Sequence, residues 1–165
     1  MNSSAVAGWS DFFVAAAGIA GALAGLVFVA ISINLARIIE LPGVSGRAAE
    51  TLILLGGTLA GTLVALMPRL SNTQLGAALS VITLPTWVIP IVTQVHSIRR
   101  RTYYRPSHVV IRGVLHQAAT LPGVLAGLAL CGLLPGGITW FAVGAITSML
   151  VAMFNAWILL VEIIR

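Results

Sequence analysis

From Phe12 to Ala36 the chain runs 25 residues without a charged side chain. At about 1.5 Å per residue, a helix of that length reaches ~37 Å, enough to cross a hydrocarbon core of ~30 Å with some tilt. This run reads as a transmembrane helix. Its centre carries Gly18, Gly21 and Gly25 among Ala15, Ala16, Ala17, Ala22 and Ala24. Ala17, Gly21 and Gly25 repeat every four residues, a spacing that lets a second backbone approach closely in lipid, so Gly21 and Gly25 are expected to be helix-packing positions.

The same reading divides the rest of the chain. Charged residues make up 8% of the 165 residues and hydrophobic ones 59%, whereas soluble domains carry about 25% charged residues. The expected fold is an all-α integral membrane helical bundle, a single transmembrane domain over 1–165 with spans at about 12–36, 51–68, 75–98, 108–133 and 138–164. Pro42-Gly43 breaks the first helix. The loop of about ten residues between the first two spans, which contains this break, is expected to have no fold of its own. Ser45 is expected to cap the second helix, with Glu50 in its first turn favoured by the helix dipole. Pro85 and Pro90 fall inside the third span, where each removes a backbone donor and predicts a kink. Residues 113–161 are uncharged for 49 positions, too many for one crossing, and Leu133-Leu134-Pro135-Gly136-Gly137 splits them. Gly57, Gly61, Gly123, Gly127, Gly144 and Ser148 extend the small-residue pattern to the later spans. Cys131 stands alone and reads as a small packing residue.

The net charge of +5 comes entirely from arginine, with no lysine in the chain. In a soluble protein such a balance would point to nucleic acid. Here the arginines lie between apolar spans and orient them, so no nucleic-acid partner is expected. With five spans and the Arg99–Arg112 loop in the cytoplasm, eight of the nine arginines fall inside and Arg69 alone outside. The N-terminus is then outside, and the C-terminus inside. The residues before the first span lack the basic lead of a signal peptide. Arg99, Arg100, Arg101, Arg105 and Arg112 are candidates for lipid-headgroup contact as well as topology. The expected location is the bacterial cytoplasmic (inner) membrane, multi-pass.

Polar side chains within the spans gather in the cytoplasmic half: Asn34, Gln94, His96, His116, Gln117 and Asn155. Ionisable groups in spans are costly and face protein or water, so these six are candidates for a polar vestibule open to the cytoplasm. Interhelical hydrogen bonding is the alternative reading of the same residues. Glu162, near the end of the last span, is expected to pair with a loop arginine. His96 and His116 lack an acidic partner at ligand spacing, so no metal site is expected, and no cofactor motif is present. No phosphate-binding loop, nucleophile elbow or paired carboxylates occur, so the chain is not expected to be an enzyme.

The segments Trp9-x-Asp11-Phe12-Phe13-Val14, Leu23 to Leu35 and Arg47-Ala48-Ala49-Glu50-Thr51-Leu52 resemble a group of small uncharacterised membrane proteins of actinobacterial type. Some members are loosely labelled modulators of a membrane-bound AAA protease. The resemblance covers mainly the first two spans and implies no catalytic residue. Together these features predict a non-enzymatic accessory, regulatory or self-associating component acting through helix contacts. Its partners would be the lipid bilayer and either further copies of itself or the subunits of a membrane complex. A small channel or transporter using the polar vestibule is the second expectation.

Overall fold

A computed structural model describes residues 6, 8–41, 43–99 and 106–164, with side chains except at 97–99, 106–109 and 162–164. Its helices are α1 (Ser10–Ile33), α2 (Leu35–Glu40), α3 (Val44–Ala65), α4 (Asn72–Arg99), α5 (Pro106–Leu130) and α6 (Thr139–Ile164). All but α2 are long and apolar enough to cross a membrane. The chain is therefore an all-helical bundle of five candidate spans, and among the described residues there is no strand.

The helix ends follow from local chemistry. At Asn34 the side-chain amide donates to the Ala30 carbonyl over 2.9 Å, and the backbone leaves helical geometry there, so α1 stops at Ile33. The expected unstructured loop is instead the short helix α2 plus a turn. Gly43, at φ 83°, supplies the left-handed step that lets α3 begin at Val44. The helix thereby starts two residues before the expected cap position allows, Ser45 lies inside it and not at its cap, and Glu50 sits in the second turn. At α4, Ser71 Oγ accepts from the Gln74 N–H (3.2 Å) and Gln74 Oε1 accepts from the Ser71 N–H (2.9 Å), a reciprocal capping box. Pro85 and Pro90 interrupt the donor series without ending this helix. α5 opens on Pro106, whose missing N–H costs nothing at a first helical position. It closes through left-handed Gly132, with the Leu133 N–H on the Leu128 carbonyl and the Gly132 N–H on that of Ala129, each at 3.0 Å.

Helices α3, α4, α5 and α6 close a ring, each packed on the next and α6 returning to α3, while α1 lies outside, mainly on α3. At one end, called here the hairpin end, Phe13, Leu75, Leu79, Leu130, Ile138 and Phe141 form an apolar cluster. At the other, the arginine end, Ile38, Val44, Ala48 and Leu159 pack together. Several glycines of the ring sit at tight contacts. A Cβ on Gly144 would meet the Gly123 backbone nitrogen at 2.9 Å, and Cβ atoms on Gly57, Gly61, Gly123 and Gly127 would press on Thr86, Phe141, Thr83 and Ser80. Ser148 joins α6 to α5 by donating to the Ala119 carbonyl over 2.7 Å.

On α1 the small residues divide between two faces. Phe13, Ala16, Ala20 and Val27 are buried, and Gly21 faces Leu59 of α3 at ordinary contact distance. Gly25 is exposed, and a Cβ there would meet nothing within 4 Å. The row expected from spacing, Ala17-Gly21-Gly25, is thus not one contact stripe within this chain, because a four-residue step drifts around a helix of 3.6 residues per turn.

Candidate functional site: a buried charge cluster and its side cavity

Glu50 projects from α3 into the ring at the arginine end and is 2% exposed. A lone carboxylate in that setting would carry a large desolvation cost. Arg112 of α5 meets it. Both Nε (2.7 Å) and Nη2 (2.6 Å) reach Oε2. The other carboxylate oxygen, Oε1, accepts a longer hydrogen bond from the Gln94 amide of α4 at 3.4 Å. His116, one helical turn beyond Arg112, is 1% exposed and brings Nδ1 to 3.4 Å from the same oxygen. Its other nitrogen, Nε2, lies 3.0 Å from the Trp87 carbonyl oxygen. A carbonyl only accepts, so Nε2 carries the hydrogen. Nδ1 then faces Glu50 without forming a hydrogen bond of its own. The Trp87 indole N–H in turn donates to Gln117 Oε1 over 2.8 Å.

Pro90 lacks an N–H and so leaves the Thr86 carbonyl without its usual helical partner. The next carbonyl, that of Trp87, receives His116 from the neighbouring helix. One network therefore ties α3, α4 and α5 through Glu50, Gln94, Trp87, Arg112, His116 and Gln117.

Beside Glu50 and Arg112 a cavity of about 330 Å³ opens between α3, α5 and α6. Arg47 and Glu50 line it from α3, Arg112 and Leu115 from α5, and Val151 and Asn155 from α6. Asn155 is only 5% exposed. Toward the hairpin end the ring interior continues as a pocket of about 20 Å³ beside Thr58, Thr83, Thr86, Thr120 and Ser148, room for roughly one water. Thr83 Oγ1 has no hydrogen-bond partner there. Beyond it, Phe13, Leu79 and Phe141 belong to the apolar cluster that fills the hairpin end.

Of the six residues read from sequence as a vestibule, Gln94, His116 and Gln117 meet in the network and Asn155 lines the cavity. Asn34 bonds to its own helix outside the ring, and His96 is exposed. Arg112, expected among headgroups, is turned inward, because the buried Glu50 carboxylate needs a cation. The backbone of Arg99 ends α4, whereas Arg100, Arg101 and Arg105 lie outside the described residues, as does the side chain of Glu162. Glu50, Arg47 and Trp87 are the site residues that sequence reasoning missed. Glu50 precedes Gly57 and Gly61 by seven and eleven residues, whole-turn spacings that place it on their face. Among the described residues no group of three or more His, Cys, Asp and Glu gathers as a metal-binding set.

No family model matches the chain, and no match is found among curated proteins or solved structures.

Proposed function

We propose that this chain is a non-enzymatic, multi-pass component of the bacterial cytoplasmic membrane that works by docking another transmembrane helix on the outward face of α1. One observation carries the reading. Ala15, Gly18, Ala22 and Gly25 alternate steps of three and four residues, and all four are exposed. A Cβ at Gly18 or Gly25 would meet nothing within 4 Å. A smooth small-residue face of this kind favours close backbone approach in lipid, where no hydrophobic force distinguishes protein from acyl chains. The position of α1 outside the closed ring supports the same reading, since the ring does not need this face for its own packing. An accessory or self-associating role also fits the resemblance of residues 9–52 to small membrane proteins labelled as protease modulators. Arginine placement favours an orientation with the arginine end in the cytoplasm.

The test is a photoreactive side chain at position 22, activated in native membranes. A cross-link to a second copy or to a foreign membrane protein, lost when Gly18 and Gly25 are both leucine, is the expected result. Cross-linking to lipid alone would remove the proposal.

A second reading, a small transporter, is favoured by the charge cluster and cavity at the arginine end. Against it stands the apolar filling of the hairpin end by Phe13, Leu79 and Phe141, which offers a polar solute no continuation.

A further inference from the structure

The cavity beside Glu50 is independent of the α1 face, and its chemistry is mixed. Its polar atoms come from Arg47, Glu50, Arg112 and the Asn155 amide, while Ile111, Leu115, Val151, Phe154 and Ile158 supply the apolar wall. Residues 151, 154, 155 and 158 follow the i, i+3, i+4, i+7 pattern of one helix face, so α6 presents Asn155 within an otherwise apolar strip. Ile111 and Phe154 are also exposed on the outside of the bundle, so the cavity is continuous with the lipid-facing surface. Arg112 lies six residues into α5, about 9 Å from its start at 1.5 Å per residue. It is the third residue of the candidate membrane span Val110–Leu130, at the arginine end of that span.

We infer that this cavity binds an anionic phospholipid of the adjacent leaflet, its phosphodiester held by Arg112 and Asn155 and an acyl chain laid along Leu115, Val151, Phe154 and Ile158. Glu50 engages Arg112 through Nε and Nη2. A guanidinium has five N–H groups, so donors remain on Arg112, which lines the cavity. Asn155 is buried and lines the same space, and its side-chain amide is a neutral donor. The pair formed with Glu50 fixes the guanidinium plane in advance, which reduces the side-chain ordering left for the lipid to impose. A volume near 330 Å³ lies at the lower end of the range for small-molecule sites, roughly 300–1,000 Å³. It would take the phosphate and the first part of one chain, leaving the remainder in the bilayer.

The full-length protein in detergent is exposed to mixed micelles of phosphatidylglycerol and phosphatidylcholine, and lipid retention is read by native mass spectrometry. Retention of phosphatidylglycerol at least about tenfold above phosphatidylcholine is expected, because the choline cation would meet Arg47 and Arg112, with loss of phosphatidylglycerol retention in Asn155→Leu and in the cavity-filling Val151→Trp. Size exclusion and helical circular dichroism report whether each variant keeps its fold. A second arm needs no variant: phosphatidylglycerol with a photoreactive group near the carboxyl end of one chain should label the wild-type α6 peptide containing Phe154. Equal retention of the two lipids, or labelling spread evenly over the outer faces of all spans, would overturn the inference. Displacement of the lipid by millimolar inorganic phosphate alone would also overturn it, by making a free anion the ligand.

Discussion

Glu50 and Arg112, 62 positions apart in the chain, meet with carboxylate and guanidinium 2.6 Å apart in the gap between α3 and α5. The two partners are unequally buried, with side chains 2% exposed for Glu50 and 15% for Arg112. Their loss should therefore not be symmetric.

Removing the cation from this pair leaves a buried carboxylate without its charge partner. Arg112→Leu should lower stability by about 3–5 kcal/mol. Glu50→Leu should cost less, because the longer arginine side chain can extend toward the headgroups. The double substitution Glu50→Leu/Arg112→Leu should recover part of the loss. Thermal denaturation in detergent, followed by circular dichroism, checks the order. A Glu50→Leu protein less stable than Arg112→Leu would contradict it.

His116 and His96 offer a matched comparison, since one is buried with Nε2 on the Trp87 carbonyl and the other is exposed. His116→Leu should destabilise the protein by about 1–3 kcal/mol through the Trp87 carbonyl left without its side-chain donor. His96→Leu should lie within about 0.5 kcal/mol of the wild type. Similar midpoints for the two variants in a denaturant titration would disprove the packing described for His116.

Gly144 and Gly25 separate close approach from open space. A Cβ on Gly144 would meet the Gly123 backbone nitrogen at 2.9 Å, and one on Gly25 meets nothing within 4 Å. Gly144→Ala should cost about 1–3 kcal/mol by forcing α5 and α6 apart. Gly25→Ala should be neutral or stabilising by up to about 1 kcal/mol from helix propensity. Melting temperatures of the two single variants in the same detergent decide the matter.

The free, exposed Cys131 lies just past α5 at the hairpin end, which makes the native chain its own topology probe. In intact cells it should react with an impermeant thiol reagent. Ser45→Cys in a Cys131→Ala background should react only after the membrane is opened. The reverse pattern would invert the orientation derived from the arginines.

The five spans were legible because each holds a long uncharged run, interrupted only near its ends as by Arg112 and Glu162, and a bilayer makes such runs a strong constraint. Span starts were less legible where the helix continues into polar sequence. At α3 the polar lead 44–50 contains Ser45, Gly46, Arg47 and Glu50, which resembles a loop and a cap when read locally. The structure instead uses Gly43 to start the helix, so that Arg47 and Glu50 enter the bundle. Burial there depends on Arg112, whose distance in sequence gives no local signal. The reading of His116 and Gln117 as interior polar residues rested on depth alone. Their partners, the Trp87 carbonyl and indole, depend on how α4 and α5 are rotated against each other, which periodicity on either helix does not determine. The four small residues on the outside of α1 show the same effect, because the sequence contains several possible rows and only the packing on α3 selects which one is left exposed.

The 62 residues between Glu50 and Arg112 also set a delay during synthesis. At about 5–20 residues per second, roughly 3–12 s separate the emergence of the carboxylate from that of its cation. During that interval α3 must hold Glu50 near the interface or shield it by water, and final seating of the helix waits for α5. Chains stalled after α4 should therefore expose the α3 start to protease more readily than completed ones, and a ribosome-arrested series ending on either side of Arg112 would show whether protection appears at that step.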